Sequence, residues 1–387
     1  MSEFNATRRV ALRTLTLAGA AFLSGCTVLS QPESADAPKV TDTGGYSMDN
    51  VSFRMNSIRT TRHETAWIEA GPSNGPLMIF VHGWPELCIM WRKQIEQFAG
   101  AGWRCVAPDM RGYGHSSVPT APDAYAMREI VADMLELHNA VGGRPAVWIG
   151  HDLGSPVVSS MAAQHPMRCR AVVNISVPYF PNAFALPSVL PFIDRNLYPS
   201  DKYPYGQWDY YEAYLEQFDQ TTKDYEADVQ SFFAVMFRAG SPDVVGKPSP
   251  TASVRARGGL FGPAHRAPAI PRDQSMLSQQ DFDAFVTEFK ANGFFGPNAW
   301  YLNDAANIAY ANSAPNGGHL TLPVLFINGS WDTICDITRN KLGDPMREAC
   351  SDLRVVSLDG AHWLPLERPV EVNAAISRWL KDKKLAI

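Results

Sequence analysis

The sequence predicts an α/β fold: a mostly parallel central sheet flanked by helices, carrying an inserted helical cap. Short apolar runs alternate with amphipathic stretches along most of the chain, the rhythm of a sheet covered on both faces. That rhythm breaks between residues 180 and 319, where helical patches follow one another with no buried strand between them. The 387 residues, 45% hydrophobic, suffice for one large domain with a substantial insertion.

Taken in order, strand-like runs at Val51–Thr60 and His63–Glu69 precede the apolar run Leu77–Val81. Amphipathic stretches at Trp91–Ala99, Ala126–Val141 and Ser155–His165 then alternate with the apolar runs Arg104–Ala107, Ala146–Ile149 and Ala171–Val177. The pattern resumes with Pro323–Asn328, Arg354–Leu358 and a last helix near Pro369–Lys384. Residues 46–179 and 320–387 are therefore expected to form the core and 180–319 the cap. Helical patches in the cap fall at Asp209–Asp219, Ala227–Arg238, Ser278–Ala291 and Ala299–Ala311, with a long irregular loop over 241–272. A net charge of −5 without a basic patch argues against nucleic acid as a partner.

The N-terminus reads as a targeting segment, to be kept apart from the fold. Thr7-Arg8-Arg9-Val10-Ala11-Leu12-Arg13 resembles a twin-arginine export motif, and the apolar run Leu15 to Leu23 is too short to span a bilayer. Leu23-Ser24-Gly25-Cys26 resembles a bacterial lipoprotein box with Cys26 as the lipidated residue. The expectation is a signal peptide over 1–26, a flexible tether over 27–45, and export to the periplasm or cell envelope on an N-terminal lipid. In that oxidising setting Cys335 and Cys350 are candidates for a disulfide, while Cys88, Cys105 and Cys169 read as buried thiols. No cysteine or histidine spacing suggests a metal site, and none is expected.

Gly150-His151-Asp152-Leu153-Gly154 follows a buried strand and opens a helix, the strand–turn–helix pattern that lifts one side chain clear at the top of a sheet. The raised residue is Asp152. A serine there would acylate on carbonyl carbon; a carboxylate displaces a leaving group from saturated carbon and is left as an alkyl ester. Such an ester needs a base to direct water at it. His362, in Gly360-Ala361-His362-Trp363, follows the last strand and is the candidate. Asp332 follows the strand before it and is placed ahead of Asp336 as the acid that fixes the imidazole tautomer. The order nucleophile, acid, base is that of α/β-hydrolases. Water attacking the ester also requires oxyanion donors, and the backbone N–H groups of Trp84 and Leu153 are the candidates.

His82-Gly83-Trp84-Pro85-Glu86 resembles the H-G-x-P turn, and Asp109-Met110-Arg111-Gly112-Tyr113-Gly114-His115-Ser116 the D-x-R-G-x-G-x-S turn, of one family. On these motifs the chain resembles an epoxide hydrolase of the α/β-hydrolase fold from about residue 46 to 385. The resemblance implies two cap tyrosines that protonate the opened epoxide oxygen. Asp209-Tyr210-Tyr211-Glu212-Ala213-Tyr214, followed by Met236-Phe237-Arg238-Ala239, resembles the segment bearing the first; Tyr211 matches, with Tyr210 and Tyr214 as neighbours. Gly293–Asn303 resembles the segment bearing the second, and Tyr301 matches. The chain departs from many relatives in having Leu153, not Trp, after the elbow aspartate. The expected reaction is water addition to a small hydrophobic epoxide without cofactor. The alternative is a haloalkane or haloacid dehalogenase using the same Asp152, His362 and Asp332. A catalytically silent binding protein is disfavoured because all five expected reactive side chains are present, and an esterase because Asp152 is no serine.

Overall fold

The computed structural model describes residues 40–48 and 51–386. The expected signal peptide, with Cys26, and tether residues 27–39 lie outside the described residues. Among those described, the strands are β1 (Val40–Met48), β2 (Val51–Arg59), β3 (Glu64–Ala70), β4 (Leu77–Val81), β5 (Arg104–Pro108), β6 (Ala146–His151), β7 (Cys169–Ile175), β8 (Leu320–Gly329) and β9 (Cys350–Leu358). They form one sheet in the order β1-β2-β3-β5-β4-β6-β7-β8-β9. Pairing is antiparallel from β1 to β5 and parallel from β5 through β4 to β9. β4 and β6 are buried along their whole length, as continuous apolar runs require when both faces are covered. Helix α1 (Arg92–Gly100) packs with the C-terminal helix, whereas α2 (Met127–Ala140) packs on α3 (Gly154–Gln164), which lies on β6 and β7.

The expected tether ends too late. Val40–Met48 pairs with β2 across a bulge at Asp42/Gly44. Its two glycines, threonines and aspartate lack strand periodicity, so backbone pairing rather than side-chain pattern makes the strand.

Between β7 and β8 the described residues form only helices, turns and loops. These include α4 (Leu186–Val189), α5 (Asp209–Glu226), α6 (Val229–Met236), α7 (Gln279–Asn292), α8 (Phe295–Ala299) and α9 (Asp304–Asn312). The stretch 241–272 holds only short 3-10 turns. Ion pairs of Arg255 with Asp209 and Glu216 and of Arg266 with Asp228, and a hydrogen bond between His265 and Asp224, tie it to the cap helices. The single helix expected over Ala299–Ala311 is broken at Asn303, whose amide donates to the Ala299 and Pro122 carbonyls. That break separates Tyr301, in a 3-10 turn over Trp300–Leu302, from α9. After β8 come α10 (Asp344–Ala349), α11 (Leu364–Glu367) and α12 (Pro369–Asp382), the helix that packs with α1.

The candidate pair Cys335 and Cys350 is not bonded; both are free, buried thiols. Cys350 pairs with Leu320 at the start of the 10-residue β8, whereas Cys335 follows the far end of that strand. Such a strand is about 30 Å long, and a disulfide requires Cα atoms within about 7 Å.

Candidate active site

The turn after β6 holds Asp152 at φ 49°, a left-handed conformation that costs a non-glycine residue about 1–3 kcal/mol. Packing enforces it. A Cβ on Gly154 would lie 2.1 Å from the Val81 carbonyl oxygen, and one on Gly150 2.3 Å from that of Gly154. Ser155 Oγ donates to the Gly150 and Ile175 carbonyls, closing the turn against β7.

The loops after β8 and β9 bring the remaining groups to that carboxylate. Ser330 N–H donates to Leu358 and Trp331 N–H to Gly360, so the two loops are joined by backbone hydrogen bonds. Asp332 and His362 consequently face each other, with His362 Nδ1 2.7 Å from Asp332 Oδ2. On its other side, His362 Nε2 lies 3.1 Å from Asp152 Oδ2. Asp332 Oδ1 also accepts from the N–H groups of Ile334 and Cys335. Burial by itself would raise the Asp332 pKa, but the His362 charge and these donors hold it below the usual carboxylate range. Burial would lower His362, yet Asp332 and Asp152 hold it well above the usual histidine value.

The Trp84 N–H donates to Asp152 Oδ1 at 2.7 Å. Leu153 stands at the N-cap of α3, one residue past Asp152. The turn carrying Trp84 contains a cis Trp84–Pro85 peptide and is held from behind: Gly83 N–H donates to Glu86 Oε2 at 2.7 Å, and His82 Nε2 accepts from Met110 N–H. The D-x-R-G-x-G-x-S motif acts here rather than in the cavity. Asp109 accepts from Cys88 N–H, just beyond the turn, while Arg111 makes a two-pronged pair with Asp133.

A cavity of about 80 Å³ opens above Asp152, with His362, Trp84, Tyr210, Tyr301 and Cys335 in its wall and Val177, Phe184, Met236, Leu260 and Ile334 among its apolar neighbours. Tyr301 is where the sequence places it, stacked on Tyr214 with ring centroids 4.4 Å apart. Tyr211 is not. It is 2% exposed, does not line the cavity, and donates its hydroxyl to Asp304 Oδ1. The Tyr211 ring also packs edge-on against Tyr301, at 4.9 Å, but of the two adjacent phenols only Tyr210, its ring 6.0 Å from that of Tyr301, is in the cavity wall. Adjacent helical residues point about 100° apart, so a one-residue error in α5 exchanges the cavity face for the Asp304 face. Tyr210 and Tyr214, four apart, share the cavity face. Burial, then neighbouring groups including Asp152, push the Tyr210 and Tyr301 phenols well above the ordinary tyrosine value.

Sequence reasoning also missed a buried pair behind the site. His151 Nδ1 contacts the Glu86 carboxylate, and its Nε2 lies 2.8 Å from the His362 carbonyl oxygen, so the pair links the Trp84 turn to the His362 loop. Only adjacency to the two motifs could have signalled it. The indole N–H groups lining the cavity are engaged elsewhere, Trp84 on Asn298 Oδ1 and Trp363 on the Met236 carbonyl.

Residues 76–369 match the family model described as the alpha/beta hydrolase fold. Epoxide hydrolase A of Mycobacterium tuberculosis is 35% identical over 82% of this chain and 94% of its own length. The chain belongs to the epoxide hydrolases of the α/β-hydrolase fold. This epoxide hydrolase is also 29% identical, over 81% of its length, to Bifunctional epoxide hydrolase 2 of Sus scrofa, of which it spans about half (53%). Among solved structures, Epoxide Hydrolase A from Mycobacterium thermoresistibile superposes on the hydrolase with a TM-score of 0.69 at 30% identity, covering 85% of this chain and 98% of that one.

Proposed function

We propose that this epoxide hydrolase adds water to a small apolar epoxide through an ester on Asp152, with Tyr210 and Tyr301 as the acids. The carrying observation is one cavity in which Asp152, hydrogen-bonded to His362, lies with the Tyr210 and Tyr301 phenols, while the Tyr214 and Tyr225 hydroxyls in the same wall pair with each other. Asp152 Oδ1 is held on the Trp84 N–H, which leaves Oδ2 to form the new C–O bond. As the ring C–O bond breaks, the alkoxide takes a proton from a phenol that its raised pKa keeps protonated.

Esterification removes the Asp152 charge that helps hold His362 protonated. His362 gives that proton up through solvent to the phenolate and, neutral and still oriented by Asp332, accepts a proton from water as that water attacks the ester carbonyl. Negative charge collects on Oδ1, where the Trp84 N–H and the adjacent Leu153 N–H stabilise it. Collapse breaks the bond between the carboxyl carbon and the former Oδ2, which takes the His362 proton and leaves in the diol, while the water oxygen stays in Asp152. The engaged Trp84 and Trp363 indoles weigh against the dehalogenase alternative, whose leaving halide needs free N–H donors.

Substitution of the phenols tests the assignment of the acids. Tyr210→Phe and Tyr301→Phe should each slow epoxide opening by about 100-fold, whereas Tyr211→Phe should keep wild-type kcat to within about threefold. The readout is single-turnover epoxide consumption. A large loss in Tyr211→Phe with Tyr210→Phe unaffected would return the role to Tyr211.

We further propose that the enzyme is exported and carried on a lipid at Cys26. The support is the order of charged segment, apolar run and Leu23-Ser24-Gly25-Cys26. Mass spectrometry of the mature N-terminus should find a diacylated Cys26, and Cys26→Ala should release the protein from the membrane fraction. An unmodified Cys26 in the mature membrane-bound protein contradicts the proposal.

A further inference from the structure

The two loops that present Asp332 and His362 also bring a thiol beside them. Cys335 lies three residues beyond Asp332, is 2% exposed, and lines the same cavity as His362 and Asp152. One ligand atom from each of Asp332, Cys335 and His362 lies within 4.8 Å of the others. In a tetrahedral zinc site, with metal–sulfur bonds of about 2.3 Å and metal–nitrogen or –oxygen bonds of about 2.0–2.1 Å, ligand atoms stand roughly 3.3–3.8 Å apart. The cluster therefore needs to close by up to about 1.0–1.5 Å, a matter of side-chain rotation.

We propose that Asp332, Cys335 and His362 form an inhibitory site for a zinc-like divalent cation, Zn2+ or Cd2+, which takes the imidazole out of the reaction. The donor set selects the ion. One sulfur, one imidazole nitrogen and one carboxylate oxygen suit borderline and soft cations, whereas Mg2+ and Ca2+ prefer oxygen alone. Cys335 and His362 line the cavity above Asp152, and an ion would arrive through it. Electrostatics favour a cation there, because the carboxylates of Asp152 and Asp332 share a single imidazole between them. Coordination releases the thiol proton and any imidazolium proton to solvent, so apparent affinity rises with pH. A metal on the imidazole removes the base that ester hydrolysis requires, and turnover stops until the ion is withdrawn.

The site stands on geometry and can be read without substrate, so it is separable from the catalytic assignment. Titration of the full-length enzyme with Cd2+ should produce a sulfur-to-cadmium charge-transfer absorption saturating at one equivalent. Zn2+ should inhibit diol formation, with recovery on adding a chelator. Cys335→Ser and Cys335→Ala should lose the absorption and raise the inhibitory Zn2+ concentration at least about tenfold, each measured against the variant's own metal-free rate. Cys350→Ser, at the residue that pairs with Leu320 at the start of β8, should keep both responses. An absent charge-transfer band in the wild-type enzyme, or equal Zn2+ sensitivity in a folded Cys335 variant, overturns the proposal.

Discussion

Asp152→Asn is expected to lower steady-state diol formation at least about a thousandfold while leaving the elbow intact. Asparagine is the replacement that isolates the chemistry. It tolerates the left-handed φ of 49° better than other side chains, and its carbonyl oxygen can still accept from the Trp84 N–H. What it lacks is the anionic oxygen that must attack epoxide carbon. In wild-type enzyme turning over in 18O-water, the label should enter the Asp152 carboxylate, because water adds to the ester carbonyl and not to the substrate. Diol formation by Asp152→Asn near the wild-type rate, or an unlabelled Asp152 after many turnovers, rules out the covalent route. A variant with the amide hydrolysed back to aspartate must be excluded by intact mass before the rate is read.

His362→Gln should separate the two half-reactions. Ring opening needs Asp152 and the phenols, so the variant should consume about one equivalent of epoxide and then halt, with turnover reduced about a thousandfold. Intact mass should show enzyme plus one substrate. The pH dependence follows from His362, whose pKa stands well above the usual histidine value while Asp332 and ionised Asp152 both face it. A proton on His362 does not impede attack by Asp152. Hydrolysis of the ester does require the neutral imidazole, so in the wild-type enzyme that step should slow as pH falls through the His362 pKa of the ester form and level off above it. With Asp152 esterified, that pKa lies below its value in the free enzyme. Continued turnover by His362→Gln, or an ester that hydrolyses faster as pH falls, defeats this assignment.

Most of the parallel core was legible because buried strands are written as continuous apolar runs. Leu77–Val81 is exposed nowhere along its length, and Ala146–Ile149 extends by only two residues, to His151. Asp152, Asp332 and His362 were legible for a related reason: each sits directly after a readable strand, and chain order assigns the roles. Val40–Met48 was not legible, since its pairing is made by backbone groups that no side-chain periodicity reports. Whether Tyr211 or the pair Tyr210 and Tyr214 faces the cavity was equally hidden. It depends on the rotational phase of α5, which the Tyr211–Asp304 hydrogen bond and the Tyr214–Tyr301 stack hold.

From sequence alone came the chemical class, because the residue types and their positions after strands dictate which bonds these groups can make and break. Tertiary structure alone decided that Tyr210 rather than Tyr211 enters the cavity, that Cys335 and Cys350 lie at opposite ends of β8, and that a thiol stands beside the imidazole. The physical reason is range. Periodicity and turn chemistry act over a few residues, whereas helix phase, strand length and the joining of two loops are set by contacts between residues tens to hundreds apart.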